Sequence, residues 1–210
     1  MVRALVVSFS ALWLAGCSVF GDRSSYEAPN YTVVRSLGPD MEIRTYAPRL
    51  VADATVQTSD PSKGRNSAFR LLFDYISGKN KSAESISMTV PVEAAKGEKI
   101  AMTVPVQTAE ADTTMSMRFF FPAKYTLETA PQPLDPRVKI MELPQETVAV
   151  RTYSGSTSDD RLRKEQDSLF TALGNSGWQA AGDPSALFYD PPWTLWFARR
   201  NEAVIPVKRM

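Results

Sequence analysis

The 210-residue chain contains no histidine and only one cysteine, Cys17. Histidine is the usual general base and a common ligand of zinc and of haem iron. Its absence excludes Ser-His and Cys-His nucleophiles and any imidazole-ligated metal. A single cysteine rules out an internal disulfide. No glycine-rich phosphate loop is present, and no cluster has metal-ligand spacing. Neither charge sign is in excess, because 24 basic side chains face 23 acidic ones. The basic face that nucleic acid demands is therefore not expected. Ten glycines against fifteen prolines favour strands and ordered turns over flexible linkers.

What is present begins with an address. After Arg3, the apolar run "ALVVSFSALWL" (4–14) falls short of the about 20 residues that cross a bilayer, yet it suits the core of a secretory signal. It ends in Leu14-Ala15-Gly16-Cys17, which resembles the lipobox of bacterial lipoproteins, where the chain is cut before the cysteine and the thiol is acylated. Residues 1–16 are thus read as a signal peptide and 17–29 as a tether carrying lipid on Cys17. Ser18 in place of Asp resembles the pattern for sorting to the outer membrane, which places the protein in the cell envelope facing the periplasm.

The remainder alternates between strand and helix signals. Strands are expected at 31–37, 41–47 and 49–58, with a turn at Gly38-Pro39-Asp40. From Arg65 the period changes: Phe69, Leu72, Phe73 and Ile76 lie at i, i+3, i+4 and i+7, one face of a helix that Gly78 ends. The phrase I-x-M-T-V-P-V then occurs twice, at 86–92 and 100–106. Strand alternation puts Ile86, Met88, Val90 and Val92 on one face, and Ile100, Met102, Val104 and Val106 likewise, as a hairpin with an apolar wall. Pro91 and Pro105 mark bulges or strand edges. Strands follow at 115–122, 138–144 and 146–155. Ser158 is placed to cap a second helix, with Asp159 and Asp160 opposing its dipole and Leu162, Leu169, Phe170 and Leu173 on its apolar face. "SALFYD", "TLWFARR" and "NEAVIPV" read as closing strands. An offset of 97 residues lays Val51-Ala52 on Val148-Ala149, and Leu72, Phe73 and Ile76 on Leu169, Phe170 and Leu173. Two similar halves sharing one core are the consequence.

At this point the chain resembles the SOUL haem-binding protein family, through "KIAMTVPV" (99–106), "YDPP" (189–192) and "RRNE" (199–202). The likeness spans residues 30–208. It implies an α+β fold, a distorted antiparallel β-barrel with two flanking helices and pseudo-twofold symmetry. It also implies a shallow apolar groove that takes haem or another porphyrin. Carried over, the helix wall is Phe69, Leu72 and Phe73, and the loop wall is Tyr189, Pro192 and Trp193. Asn66, Asp74 and Thr194 stand where haem-binding members carry basic side chains, so Arg65 or Arg70 is assigned to the propionates. With no histidine, direct ligation of metal by protein side chains is not expected. Met88, Met102, Met115 and Met117 read as core rather than thioether ligands. Arg199, Arg200, Asn201 and Glu202, just before the last strand, are read as orienting the chain by hydrogen bonds, and Glu142 and Glu202 are candidates for a pocket carboxylate against the commoner surface role. The expected protein is a monomeric, non-enzymatic, lipid-anchored binder of a flat apolar ligand. An envelope scaffold without a small ligand and a hydrolase acting on a small amphipathic substrate are the alternatives.

Overall fold

A computed structural model describes residues 19–82, 97–111 and 113–210. Its main sheet runs β1 (Tyr31–Gly38), β2 (Met41–Tyr46), β9 (Glu146–Tyr153), β12 (Asn201–Arg209), β11 (Ser185–Phe188), β5 (Val106–Ala111), β6 (Thr114–Phe120), β3 (Arg49–Gln57), β8 (Val138–Leu143) in spatial order, with β10 (Trp178–Ala180) also on β12. Two short strands, β4 (Asn80–Lys81) and β7 (Gln132–Pro133), pair separately. The helices are α1 (Pro61–Ile76) and α2 (Asp159–Leu173).

The order is palindromic about the β5–β11 seam. The 97-residue offset maps Met41–Tyr46 onto Val138–Leu143, and it brings β3 onto β9 and α1 onto α2 within a residue. These two equivalent strands each pair with the other half: β2 with β9, and β8 with β3. Six strand spacings separate β2 from β3 along the sheet, about 29 Å if flat. Only Ala47 and Pro48 join their ends, and such a link spans no more than about 11 Å. The sheet must curl until the end of β2 stands beside the start of β3, and this is the expected distorted barrel.

Strand alternation divides the interior. Val51, Phe120, Val148, Val150 and Val204 point inward and pack with Tyr46, Val104, Leu187 and Tyr189. Their neighbours point out to the helices: Ala52, Ala54, Met117 and Phe119 lie under α1, while Ile43, Ala149, Ile205 and Val207 lie under α2. The interior is shared and filled by the protein's own side chains.

Several local features differ from expectation. Helix α1 begins at Pro61, capped by Asp60, whose carboxylate accepts from the N–H groups of Ser62 and Lys63 at 3.0 and 3.2 Å. Its first turn is polar, which hid it from apolar periodicity. Ser158 caps α2 as expected, but Phe170 is exposed and Glu165 is buried instead. Residues 97–105 form no strand: Met102 is exposed and Thr103 is buried, donating to the Phe120 carbonyl at 2.6 Å. Pro105 has no N–H for a ladder, and β5 starts only after it. The first copy of the phrase lies outside the described residues. "TLWFARR" (194–200) contains a 3-10 turn, Trp196–Ala198, and no strand. Residues 19–29, expected as a tether, are held to the domain: Arg23 pairs with Asp190 at 2.6 Å, and the Glu27 carbonyl accepts from Val104 N–H at 3.0 Å.

Candidate ligand-binding face

Helix α1 buries Gly64, Ala68, Leu72, Tyr75 and Ile76 against β3 and β6. Arg65, Phe69 and Phe73, at four-residue spacing, stand on an adjoining stripe. Phe69 and Phe73 are 38% and 48% exposed, and their rings stack at 5.8 Å with 15° between planes. Phe69 also meets Phe119 edge to face at 5.6 Å. Phe119 lies opposite Val106 on β5, and Val106 opposite Phe188 on β11. The floor therefore continues across two strand spacings, roughly 10 Å. Concavities of about 220 Å³ beneath residues 27–30 and of about 350 Å³ beside Leu134 lie elsewhere, and one of about 230 Å³ borders Arg65 and Asp159 where α1 meets α2. A ligand on Phe69 and Phe73 would lie on an open face, outside those enclosures.

The charges beside this face are unequal. Arg65 already donates to Asp159 at 2.6 Å, tying α1 to the start of α2. Asp74 pairs with Lys79 at 2.8 Å. Arg70 is exposed and makes no ion pair among the described residues.

Two residues assigned to the groove walls are buried. Leu72 has no exposure: it points from the helix into the sheet, one residue away from Phe73. Tyr189 faces the opposite side of the sheet, buried, and donates to Glu202 at 2.9 Å. Burial foremost, and then the Glu202 charge, push its hydroxyl far above the ordinary tyrosine range. Pro192 and Trp193 are exposed on the loop after β11. That loop is held by Arg199, which donates to the Thr194 and Pro192 carbonyls at 2.8 and 2.6 Å.

Of the two candidate pocket carboxylates, Glu202 is the one inside the protein, and it has the expected hydrogen-bonding role. It has no exposure. It accepts from Arg44 at 3.0 Å, from Arg200 at 2.6 Å and from Tyr189. Arg44 also lies over the Tyr31 ring at 4.2 Å. Glu42, Arg44 and Tyr46 share one strand face, as do Glu202 and Val204. That alternation was the available signal, since it aims a charge of each sign inward. Glu142 is exposed as expected.

The chain matches the SOUL heme-binding protein family over residues 26–206. It belongs to that family. It is 28% identical over 152 residues to heme-binding protein 2 of Homo sapiens, covering 69% of this chain and 67% of that one. The mouse heme-binding protein 2 is 24% identical over 204 residues, covering 92% and 96%. Among solved structures, the C-terminal domain of EcmrR is similar in fold, with a TM-score of 0.56 at 12% identity, covering 86% of this chain and 99% of that one. A hydrolase from Listeria innocua has a TM-score of 0.55 at 9% identity, covering 80% and 92%. These structural likenesses concern the fold alone.

Within the SOUL family the α1 face fits one part of a haem better than the other. Stacked rings suit the flat apolar macrocycle, and Arg70 suits a propionate. The chain offers the iron no imidazole. Among the described residues, no group of three or more His, Cys, Asp or Glu side chains is placed to hold a metal ion.

Proposed function

We propose that this protein is a carrier or scavenger of haem or a related tetrapyrrole. In this reading it is held on the cell envelope by lipid on Cys17, at the outer membrane and facing the periplasm. The ligand lies against Phe69 and Phe73 with Trp193 at the rim, and Arg70 attracts its propionates. The observation that carries the reading is the exposed, stacked Phe69–Phe73 pair on a member of a heme-binding family. Aromatic side chains of this size ordinarily go to the core, and a matched pair left in solvent beside a cation suits a flat anionic ligand.

The affinity can be bounded. Burying about 400 Å² of apolar surface at ~25 cal/mol/Å² yields about 10 kcal/mol. Association removes roughly 4 kcal/mol or more. The remaining ~6 kcal/mol corresponds to a dissociation constant in the tens of micromolar, which suits transient carriage and not a permanent haemoprotein.

Titration of the domain with hemin, followed at the Soret band, tests this. Saturable one-to-one binding that Phe73→Asp abolishes is expected. Equal binding by the parent and Phe73→Asp would remove α1 as the site. No binding by either would remove the function.

A further inference from the structure

Three large aromatic side chains besides those assigned to the ligand stand in solvent. Phe20, Trp196 and Phe197 are 69%, 67% and 57% exposed, and the last two meet edge to face at 5.7 Å. Backbone contacts on both sides of Phe20 fix it next to the 3-10 turn. The Leu195 N–H donates to the Val19 carbonyl at 3.0 Å. Gly21, at φ 74°, approaches the Ala198 carbonyl so closely that a Cβ would stand 2.6 Å from its oxygen. Arg23 adds a side-chain bond to the same carbonyl at 2.8 Å. Two segments far apart in sequence therefore lie side by side, and the knuckle they form carries all three exposed rings. Surface apolar residues are ordinarily scattered singly, and a cluster marks a contact.

Where the chain leads next indicates what makes that contact. Cys17 precedes Val19 by two residues, a reach of at most about 7 Å. Acyl chains on Cys17 must enter the bilayer beside the knuckle, so the anchor itself brings the membrane surface to these rings. Tryptophan and other amphipathic rings favour that interfacial layer. The rim has the matching charge: Arg199 makes no ion pair among the described residues and donates only to carbonyls, leaving a cation for lipid phosphates.

We propose that Phe20, Trp196 and Phe197 insert into the headgroup layer of the membrane that holds Cys17, fixing the orientation of the domain. This rests on the acylation of Cys17 and extends the anchor from one lipidated residue to a three-residue docking surface. The clamp at Val19, Gly21 and Arg23 leaves little slack for the domain to swing away from the bilayer.

The test uses the lipidated protein extracted from membranes and reconstituted into vesicles of phosphatidylethanolamine and phosphatidylglycerol, with or without brominated acyl chains. Mass spectrometry of the same sample reads the state of Cys17. An unacylated Cys17 overturns both the anchor and the contact. On acylated protein, brominated lipid is expected to quench the emission component that Trp196→Phe removes by about twofold or more. The component removed by Trp178→Phe should stay unquenched. An acylated Phe20→Ser/Phe197→Ser chain should lose the quenching at Trp196. Unquenched, water-like Trp196 emission on acylated protein overturns the docking surface and leaves the anchor standing. Blue-shifted but unquenched emission means that protein covers the rings, and overturns it equally.

Discussion

One guanidinium nitrogen of Arg44 donates to both carboxylate oxygens of Glu202 at 3.0 Å, where Glu202 has no contact with solvent. Arg200 closes on the same carboxylate at 2.6 Å. Glu202→Gln keeps the shape and leaves two buried or half-buried guanidinium groups without their shared anion. A loss of about 3–5 kcal/mol is expected, read as a lower urea midpoint at unchanged slope. A midpoint equal to the parent's would mean that the two arginines find other partners at no cost.

Tyr153 offers a gain in stability. Its hydroxyl is buried with no hydrogen-bond partner among the described residues. Burial foremost, with the Glu165 charge adding, pushes it up to about 12. Tyr153→Phe removes an unsatisfied polar group and should stabilise by about 1 kcal/mol. The native state holds this proton more tightly than the unfolded chain, whose tyrosines titrate near about 10. The contribution is therefore full below that pH and is lost as pH rises toward about 12. Denaturation midpoints across this alkaline window should fall less steeply in Tyr153→Phe than in the parent.

Leu72 and Phe73 are neighbours with opposite roles. Leu72→Ala opens a cavity beneath α1 and should cost about 2–5 kcal/mol of stability without changing hemin affinity per folded molecule. Phe73→Ala removes a half-exposed ring and should cost under about 1 kcal/mol while weakening hemin. Thermal melts and Soret titrations on the same two variants separate the effects. Reversed outcomes would place the ligand elsewhere.

Arg70 and Arg65 differ in whether their charge is already taken. Arg70→Glu should raise the hemin dissociation constant about fivefold, with a difference that shrinks as salt is added. Arg65→Ala should change it by no more than about twofold, because Asp159 already holds that guanidinium. Equal effects in the titration would show that hemin competes for the α1–α2 bridge.

Much of the fold was legible because it is written in local periods. The 97-residue offset matched both a strand and a helix, and it also relates β2 to β8. Phe69 and Phe73 were visible as a four-residue repeat. Ser158 was visible as a cap. The start of α1 was missed because its first turn is polar and Asp60 caps it without any apolar partner nearby. The second I-x-M-T-V-P-V copy misled because its alternation imitates a strand. Pro105 gives no ladder donor, and Thr103 turns inward to the Phe120 carbonyl. Leu72 and Phe73 read alike as groove wall, since the pattern names an apolar stripe but not how the helix is rolled on its sheet.

Sequence alone determined the family, the doubled order of elements and the lack of any imidazole for iron, since all three reside in residue identity and near-neighbour spacing. Tertiary structure decided the rest. The exchange of β2 and β8 between halves, the rolling forced by the Ala47–Pro48 link, and the meeting of Arg44 with Glu202 across 158 positions depend on which surfaces pack together. A strand's alternation says which residues share a face, but only the partner across the curled sheet decides whether that face meets water, a helix or an opposite charge.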